Sequence, residues 1–488
     1  MMQWTNDFMT LESSSVFLNE LYRGTMRSLL DRTRGDGFVQ TSFGELNDVK
    51  CYGECHYSRD ACEAAWVLAD QGCLAPAVKI LEFTLLNTPQ DQYHIVHAFR
   101  PDGTPLHNNI QIDTPAHPAR ALARVLEMGA ADASLERLFE ILERVFAATR
   151  EYHHRPEFQL YDSGNYNEQL GGGKEPVLDL FTNGAMYAGL LAMARCAELL
   201  NRPAASVYRR QAEELAAGIE TRLYDSERNL YRAALRLDGS EWVRPVNWIS
   251  LYPARWYSGR PDAWHTVSEY LWMHGCNEWN GRSIPSGESD FMAFRTMGKV
   301  IGQLLGFAAR EKRADRVETL LRFLEETVRK PANLYPEYWL HHLPKRGESP
   351  YNDWFFDEFK GIWTSFTDDP NGDYTVDSGN CEQCSVFLAH FTNEVVGFSG
   401  DWRHVEVAPV FAGYGKCAAT NRPLGIRDGR KITGSFRFDG NTLHFSADAP
   451  VEEVALSANG VRKVFRNTAL ADWSFDYCGC AAGRGSVQ

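Results

Sequence analysis

Two glutamates stand in settings suited to sugar chemistry. Glu168 follows Tyr161-Asp162-Ser163-Gly164-Asn165-Tyr166-Asn167 and precedes Gln169, Leu170 and three glycines. Glu382 lies in Asp377-Ser378-Gly379-Asn380-Cys381-Glu382-Gln383-Cys384. Each occupies a polar, glycine-bearing turn just before a long apolar helical segment. Hydrolysis of a glycosidic bond needs two carboxyl groups on opposite sides of one sugar, an acid for the leaving oxygen and a base or nucleophile for the anomeric face. Carboxyls from two distant turns at one rim of a helical scaffold supply that pair. Glu337, in Leu334-Tyr335-Pro336-Glu337-Tyr338-Trp339, rivals Glu382 for the second role. The plainer alternative for Glu168 and Glu382 is a carboxylate that only complements a helix dipole.

Arg59 and Asp60 open an early helix, and Asp113 precedes another in Gln111-Ile112-Asp113-Thr114-Pro115. An Asp accepting vicinal hydroxyls beside an Arg fixes a sugar ring economically, since an unpaired buried hydroxyl costs about 1–3 kcal/mol. A helix cap is the competing role for Asp113. Aromatic residues make up 12% of the chain, and several interrupt loop-like stretches. Tyr166, Trp248, Trp256, Trp339, Trp354 and Trp363 are candidate ring-stacking residues, with core packing as the alternative. No Walker loop, dinucleotide fingerprint or Gly-x-Ser-x-Gly elbow occurs, and no cofactor or metal is expected. Cys51, Cys55 and Cys62 near His56 lack zinc-finger spacing and read as free thiols.

The elements that must carry these residues are amphipathic helices. Apolar residues recur at three- and four-residue spacing over about Ser14–Arg32, Ser58–Asp70, Ala75–Leu86, Pro115–Met128, Ala133–Tyr152, Leu178–Leu200, Ala204–Leu223, Ala263–Met273, Asp290–Ala309, Arg313–Val328 and Glu382–Val396. Short turns between them make antiparallel hairpins. Beyond Gly400 the pattern becomes β. Asp439-Gly440-Asn441 and Ala458-Asn459-Gly460 each sit between strand-like runs. The expected division is a helical catalytic domain over 1–400, a small β domain over 401–475 and a disordered tail over 476–488. A net charge of −14 disfavours nucleic acid and anionic membranes as partners. With no visible leader and an odd count of 11 cysteines, a cytoplasmic enzyme acting on a small neutral carbohydrate is expected.

Arg59-Asp60, then Asp113, then Asn167-Glu168-Gln169 ahead of Phe181-Thr182-Asn183-Gly184-Ala185-Met186-Tyr187, then Glu382-Gln383, come in an order that resembles the glucoamylase-like six-hairpin glycosidases. That clan includes glucoamylases and trehalases. The resemblance covers roughly residues 15 to 400. It implies an all-α (α/α)6 toroid, here with a small C-terminal β appendage, and an inverting hydrolase of short α-linked oligosaccharides or glycosides. It implies Glu168 as general acid and Glu382 as base, with Arg59 and Asp60 on the sugar. The tryptophan and first glutamate of the clan's acid loop are replaced by Tyr166 and Asn167. Two other readings are weighed. One is a sugar epimerase on the same scaffold, using a pair from His94, His97, His107, His117, His153 and His154. The other is a non-catalytic helical binding scaffold.

Overall fold

Helical periodicity and the turn residues between runs account for eleven of the twelve α-helices among the described residues of the computed structural model. The model describes Trp4 and residues 8–475, apart from 42–54, 108, 131, 169–174, 244, 275, 280, 288–294, 329–334, 336–337, 341–373, 376–379, 411–415 and 459. The helices are α1 (Val16–Asp31), α2 (Ser58–Asp70), α3 (Leu74–Leu86), α4 (Ala116–Glu127), α5 (Ser134–His153) and α6 (Leu180–Leu199). They continue with α7 (Ala205–Gly218), the one-turn α8 (Trp248–Leu251), α9 (Pro261–Met273), α10 (Gly298–Arg310), α11 (Ala314–Thr327) and α12 (Cys381–His390).

Burial sorts them into two kinds. In α2, α10 and α12 nearly every residue is buried, whereas α1, α5, α7 and α11 bury one stripe. A helix buried all round must lie inside a shell of others. Accordingly α2 packs on α4, α4 on α6, α10 on α12 and α12 back on α2, while α3, α7 and α11 cover them from outside. Small residues permit these close approaches. A Cβ on Gly302 of α10 would stand 3.0 Å from the Phe387 backbone of α12, and one on Gly189 of α6 would stand 2.7 Å from Ala116 of α4.

The all-α expectation is corrected. Seven strands form one mixed sheet: β1 (Thr10–Ser13), β2 (Phe398–Gly400), β3 (His404–Val407), β4 (Cys417–Arg427), β5 (Arg430–Phe438), β6 (Thr442–Ala458) and β7 (Val461–Ser474). Its order is β1-β4-β5-β6-β3-β2, with β7 on β6 and β3 running parallel to β6. Both predicted hairpins are present, as β5–β6 and β6–β7. They are part of a larger body than an appendage. An N-terminal strand closes one edge, and the 17-residue β6 runs through both hairpins. The chain is therefore a helical-plus-β protein. Sequence alternation hid the rest because β4 shifts register at Ala419/Arg422 and Pro423/Gly425, which breaks the period of two.

The sheet is bolted to the helices by charge. Arg422 of β4, fully buried, gives Nη2 to Asp70 Oδ2 at 3.0 Å and to Asn393 Oδ1 at 2.9 Å. Asp70 ends α2, whose other end lies roughly 17 Å away at a rise of about 1.5 Å per residue. That other end begins with Ser58, Arg59 and Asp60. No helix among the described residues is long and apolar enough to cross a membrane.

Candidate active site

The residues singled out in the sequence converge because they begin helices that share one direction. Arg59 and Asp60 lie in the first turn of α2, Lys299 in that of α10 and Glu382 in that of α12. Asp113 leads into α4, and Asp179 caps α6 by accepting from Thr182 N at 2.7 Å. Helix N-termini carry partial positive charge and unsatisfied N–H groups, so a cluster of them favours carboxylates. Asn380 caps α12, its Oδ1 accepting from Glu382 N at 2.8 Å.

The Glu168 loop is fastened to the Asp113 loop. Gln111 and Gly164 form a β-bridge, and Ile110 N donates to Asn165 Oδ1 at 2.6 Å. Gly164 has φ +72°, and a Cβ there would meet Ile110 O at 2.5 Å, so glycine is required. Asp162 accepts from Gly164 N at 2.9 Å and from Arg155 Nε at 2.8 Å.

Arg59 is the hub. Its Nη1 lies 3.3 Å from Asp113 Oδ2 and its Nη2 3.1 Å from Glu168 Oε2. Its Nε lies 3.8 Å from Glu382 Oε1 and 3.9 Å from Asp60 Oδ1. Glu382 receives the Tyr252 hydroxyl on Oε1 at 2.6 Å, and Lys299 Nζ approaches Oε2 to 2.6 Å, close enough for an ion pair though poorly aimed for a hydrogen bond. Side-chain exposure is 1% for Glu382 and 17% for Glu168. The two acids thus differ in access to solvent.

Burial pushes the Glu382 carboxyl up, but Lys299 and then Arg59 outweigh it and hold it at about 2. Burial and the adjacent Glu382 charge push Asp60 well above the usual carboxylate range. The pair therefore keeps Glu382 ionised and Asp60 protonated. Burial opposes the ionised form of Asp113, yet the His117 hydrogen bond and Arg59 keep it below its ordinary value. Burial raises Asp179 to about 7.

Aromatic rings line the floor. Phe181 lies 5.3 Å from the Arg59 guanidinium and stacks on Tyr252 at 5.4 Å. Trp256 meets Phe181 and Tyr252 edge-on at 5.0 Å, and Lys299 Nζ sits 5.0 Å over Trp248. Trp248 and Trp256 are buried, so they pack under the charged groups. Tyr166 lies against His97 at 5.0 Å. Trp339 is buried against Phe323 and Tyr335. Glu337, Trp354 and Trp363 lie outside the described residues. Asp113 is not a side-chain cap, since its carboxylate serves Arg59 and His117. Of the histidines weighed for an epimerase, His117 touches the hub network through Asp113, and His97 lies against Tyr166. His94 and His153 gather around Tyr93, and His154 faces Glu214.

Sequence reading missed Lys299 and Tyr252, the two groups nearest Glu382. A signal existed for Lys299. It is the one charge in the run Gly298–Ala309, and it stands in a first turn where the dipole opposes a cation. Among the described residues, His265, Glu269 and Glu311 alone bring three possible metal ligands within 4.8 Å. They lie outside this site, and Arg316 already pairs with Glu269.

Residues 106–300 match the model of the mannosylglycerate hydrolase MGH1-like glycoside hydrolase domain. No curated protein matches the chain in sequence. A GH78 family rhamnosidase of Bacillus sp. GL1 superposes over 93% of this chain with a TM-score of 0.61 at 13% identity. An alpha-L-rhamnosidase from Dictyoglumus thermophilum does so over 95% with a TM-score of 0.60 at 11% identity. The chain spans 43% and 50% of those two proteins. A glycosidase solved in wild-type form gives a TM-score of 0.57 at 13% identity, covering 77% of this chain and 96% of its own; a variant titled glycosidase is solved in complex with glucose. At such identities the likeness speaks for the fold. Residues 106–300 are thus similar to a glycoside hydrolase domain, and the matching model is not that of the glucoamylase or trehalase group which the motif order resembles.

Proposed function

We propose that this chain hydrolyses a short α-linked oligosaccharide or small glycoside with inversion at the anomeric carbon. The observation that carries the reading is that Glu168 and Glu382 touch nitrogens of one guanidinium, at 3.1 and 3.8 Å. This caps their separation near the upper end of the roughly 6.5–9.5 Å spacing of an inverting pair, and the product anomer separates that from a retaining pair at about 5–5.5 Å.

In this reading Glu168, the more open carboxyl, gives its proton to the departing glycosidic oxygen. Glu382, kept ionised, takes a proton from a water whose oxygen bonds to the anomeric carbon from the opposite face. The bond to the leaving group breaks as the new one forms, and the proton on Glu382 returns to Glu168 through solvent. Arg59 positions both carboxyl groups before substrate arrives. Asp60, protonated, has a hydrogen to donate to a sugar oxygen, and the buried aromatic floor excludes bulk water. The neighbours named as rhamnosidases and the glycosidase with glucose support neutral hexoses and deoxyhexoses as the first substrates to try.

The test is a panel of α-linked aryl glycosides and disaccharides followed by proton NMR of fresh product. Inverted β-anomer is expected. Retained anomer would overturn the mechanism, and no product from any member would overturn the substrate class. Glu168→Gln should lower turnover of a poor leaving group by about 10²–10⁴-fold, and of an activated aryl glycoside by less. Equal losses would remove Glu168 from the acid role. Glu337 is the competing base; activity that survives Glu382→Ala and dies in Glu337→Ala would move the role there.

A further inference from the structure

Behind the hub lies a second layer of polar groups that the proposed chemistry does not use. Glu63, one turn along α2 from Arg59, and His117 in α4 have fully buried side chains. His117 Nδ1 meets Glu63 Oε1 at 2.9 Å, and its Nε2 meets Asp113 Oδ2 at 3.2 Å. The imidazole thus bridges the two carboxyl groups. The other Glu63 oxygen accepts from Arg255 Nη2 at 2.8 Å, and Arg120 pairs with Oε1. Arg255 Nη1 reaches the Tyr252 hydroxyl at 2.8 Å, which donates to Glu382.

These contacts close on themselves. From Glu382 the hydrogen-bonded path runs through Tyr252, Arg255, Glu63, His117 and Asp113 to Arg59, which branches to Glu168 and closes on Glu382 by a longer ion pair of 3.8 Å. Burial would raise Glu63, but Arg120 and Arg255 hold it well below the carboxylate range. It is therefore a fixed charge on which both arms rest. The Trp256 ring, 5.4 Å from His117, closes the layer from the third side.

We infer that His117 and Glu63 are positioning residues which, through Arg59 on one arm and Tyr252 on the other, hold Glu168 and Glu382 in mutual register. The inference rests on the proposed hydrolytic reading. A set of pairwise links would let each arm fail alone; a closed circuit makes the arms fail together.

The experiment is a double-mutant cycle between His117→Gln and Tyr252→Phe, read as kcat and KM on the substrate found above. His117→Gln should lower kcat about 10- to 100-fold, the cost of a small misplacement of reacting groups, and move KM by less than about threefold. The double variant should be no slower than the worse single variant. Multiplying losses, or a change confined to KM, would overturn the circuit. If His117→Gln does not fold, Arg255→Lys with Tyr252→Phe tests one arm, and His265→Gln, outside the site, serves as control. Should the wild type cleave no glycoside, the functional reading fails while the circuit is still decided by a crystal structure of His117→Gln. Arg59 displaced from both Asp113 and Glu168 supports it, and Arg59 unmoved overturns it.

Discussion

At its first turn α2 holds one guanidinium among four carboxyl groups; at its last residue it holds one carboxylate between two guanidiniums. Arg59 is shared by Asp60, Asp113, Glu168 and Glu382. Asp70 receives Arg124 on Oδ1 at 3.0 and 2.6 Å, and Gln71 and Arg422 on Oδ2 at 2.9 and 3.0 Å. Both ends are buried. At the Asp70 end both carboxylate oxygens are filled, and Arg422 and Arg124 hold that carboxyl below its ordinary value against burial. At the Arg59 end acid is in surplus, one carboxyl stays protonated, and the guanidinium Nε has no hydrogen-bond partner. The Asp70 carboxylate is fully paired, although Arg422 Nε and Nη1 lack hydrogen-bond partners, and the network there joins sheet to helices. At the Arg59 end the surplus carboxyl groups are what a ligand can complete.

The largest contrast comes from removing the central acid at each end. Glu382→Gln should lower hydrolysis by about 10²–10⁴-fold and also lower the urea midpoint, because buried Lys299 loses its counter-ion while Arg59 keeps other carboxyl groups. Asp70→Ala should spare activity and cost more stability. Stranding two buried arginines costs about 3–5 kcal/mol, while kcat of the folded fraction stays within about twofold, since Asp70 is roughly eleven residues of helix from Arg59. Denaturation and steady-state kinetics on both variants check this. A stable, inactive Asp70→Ala would erase the distinction between the ends.

How much of this could be read beforehand depends on where each residue sits. Arg59, Asp60, Asp113, Glu168 and Glu382 were legible because each stands in a polar turn ahead of an apolar run, and the inner helices bring those turns together. Lys299 and Glu63 were not assigned roles, and His117 was weighed only for an epimerase pair, because they lie inside such runs, where a lone charge reads as a tolerated exception. Their meaning is a matter of register between helices far apart in sequence. Trp248 and Trp256 looked like a stacking wall because no helical period surrounds them; in fact a one-turn helix and a following 3₁₀ turn bury them as a floor. The helices followed from spacing alone. The sheet did not, because β1 lies some four hundred residues from β4 in the chain and bulges obscure β4.

The next effect concerns pH. Glu382 sits at about 2 in the folded chain, against about 4.3 for an unperturbed glutamate. A lowered carboxyl stabilises the fold above the unfolded value, and that contribution is lost as pH falls through about 2. Lys299→Met removes the first-ranked cation opposing burial, so the folded value rises and the window narrows from the acid side. If Glu382 is the base, the acid limb of kcat/KM moves to higher pH in the same variant. An unmoved limb would separate Glu382 from the rate-determining proton transfer. Arg422→Met at the other end should leave that limb in place.

The smallest effects come from a matched pair of hydroxyls. Tyr252 donates to Glu382 at 2.6 Å, and Tyr22 donates to Gln71 Oε1 at 2.9 Å, one step from Asp70. Both rings are fully buried, and burial foremost raises both phenols well above their ordinary value, so each stays a donor across the working range. Replacing either by Phe removes one buried hydrogen bond, worth about 0.5–1.5 kcal/mol and somewhat more when the acceptor is charged. Tyr22→Phe should appear in the urea midpoint and nowhere in the pH profile. Tyr252→Phe should also move the acid limb of kcat/KM upward, because a donor that favours ionised Glu382 is gone, and by less than Lys299→Met, because a neutral donor is exchanged rather than a charge. Identical pH profiles for the two Phe variants would mean that the Arg59 end is tuned for stability just as the Asp70 end is.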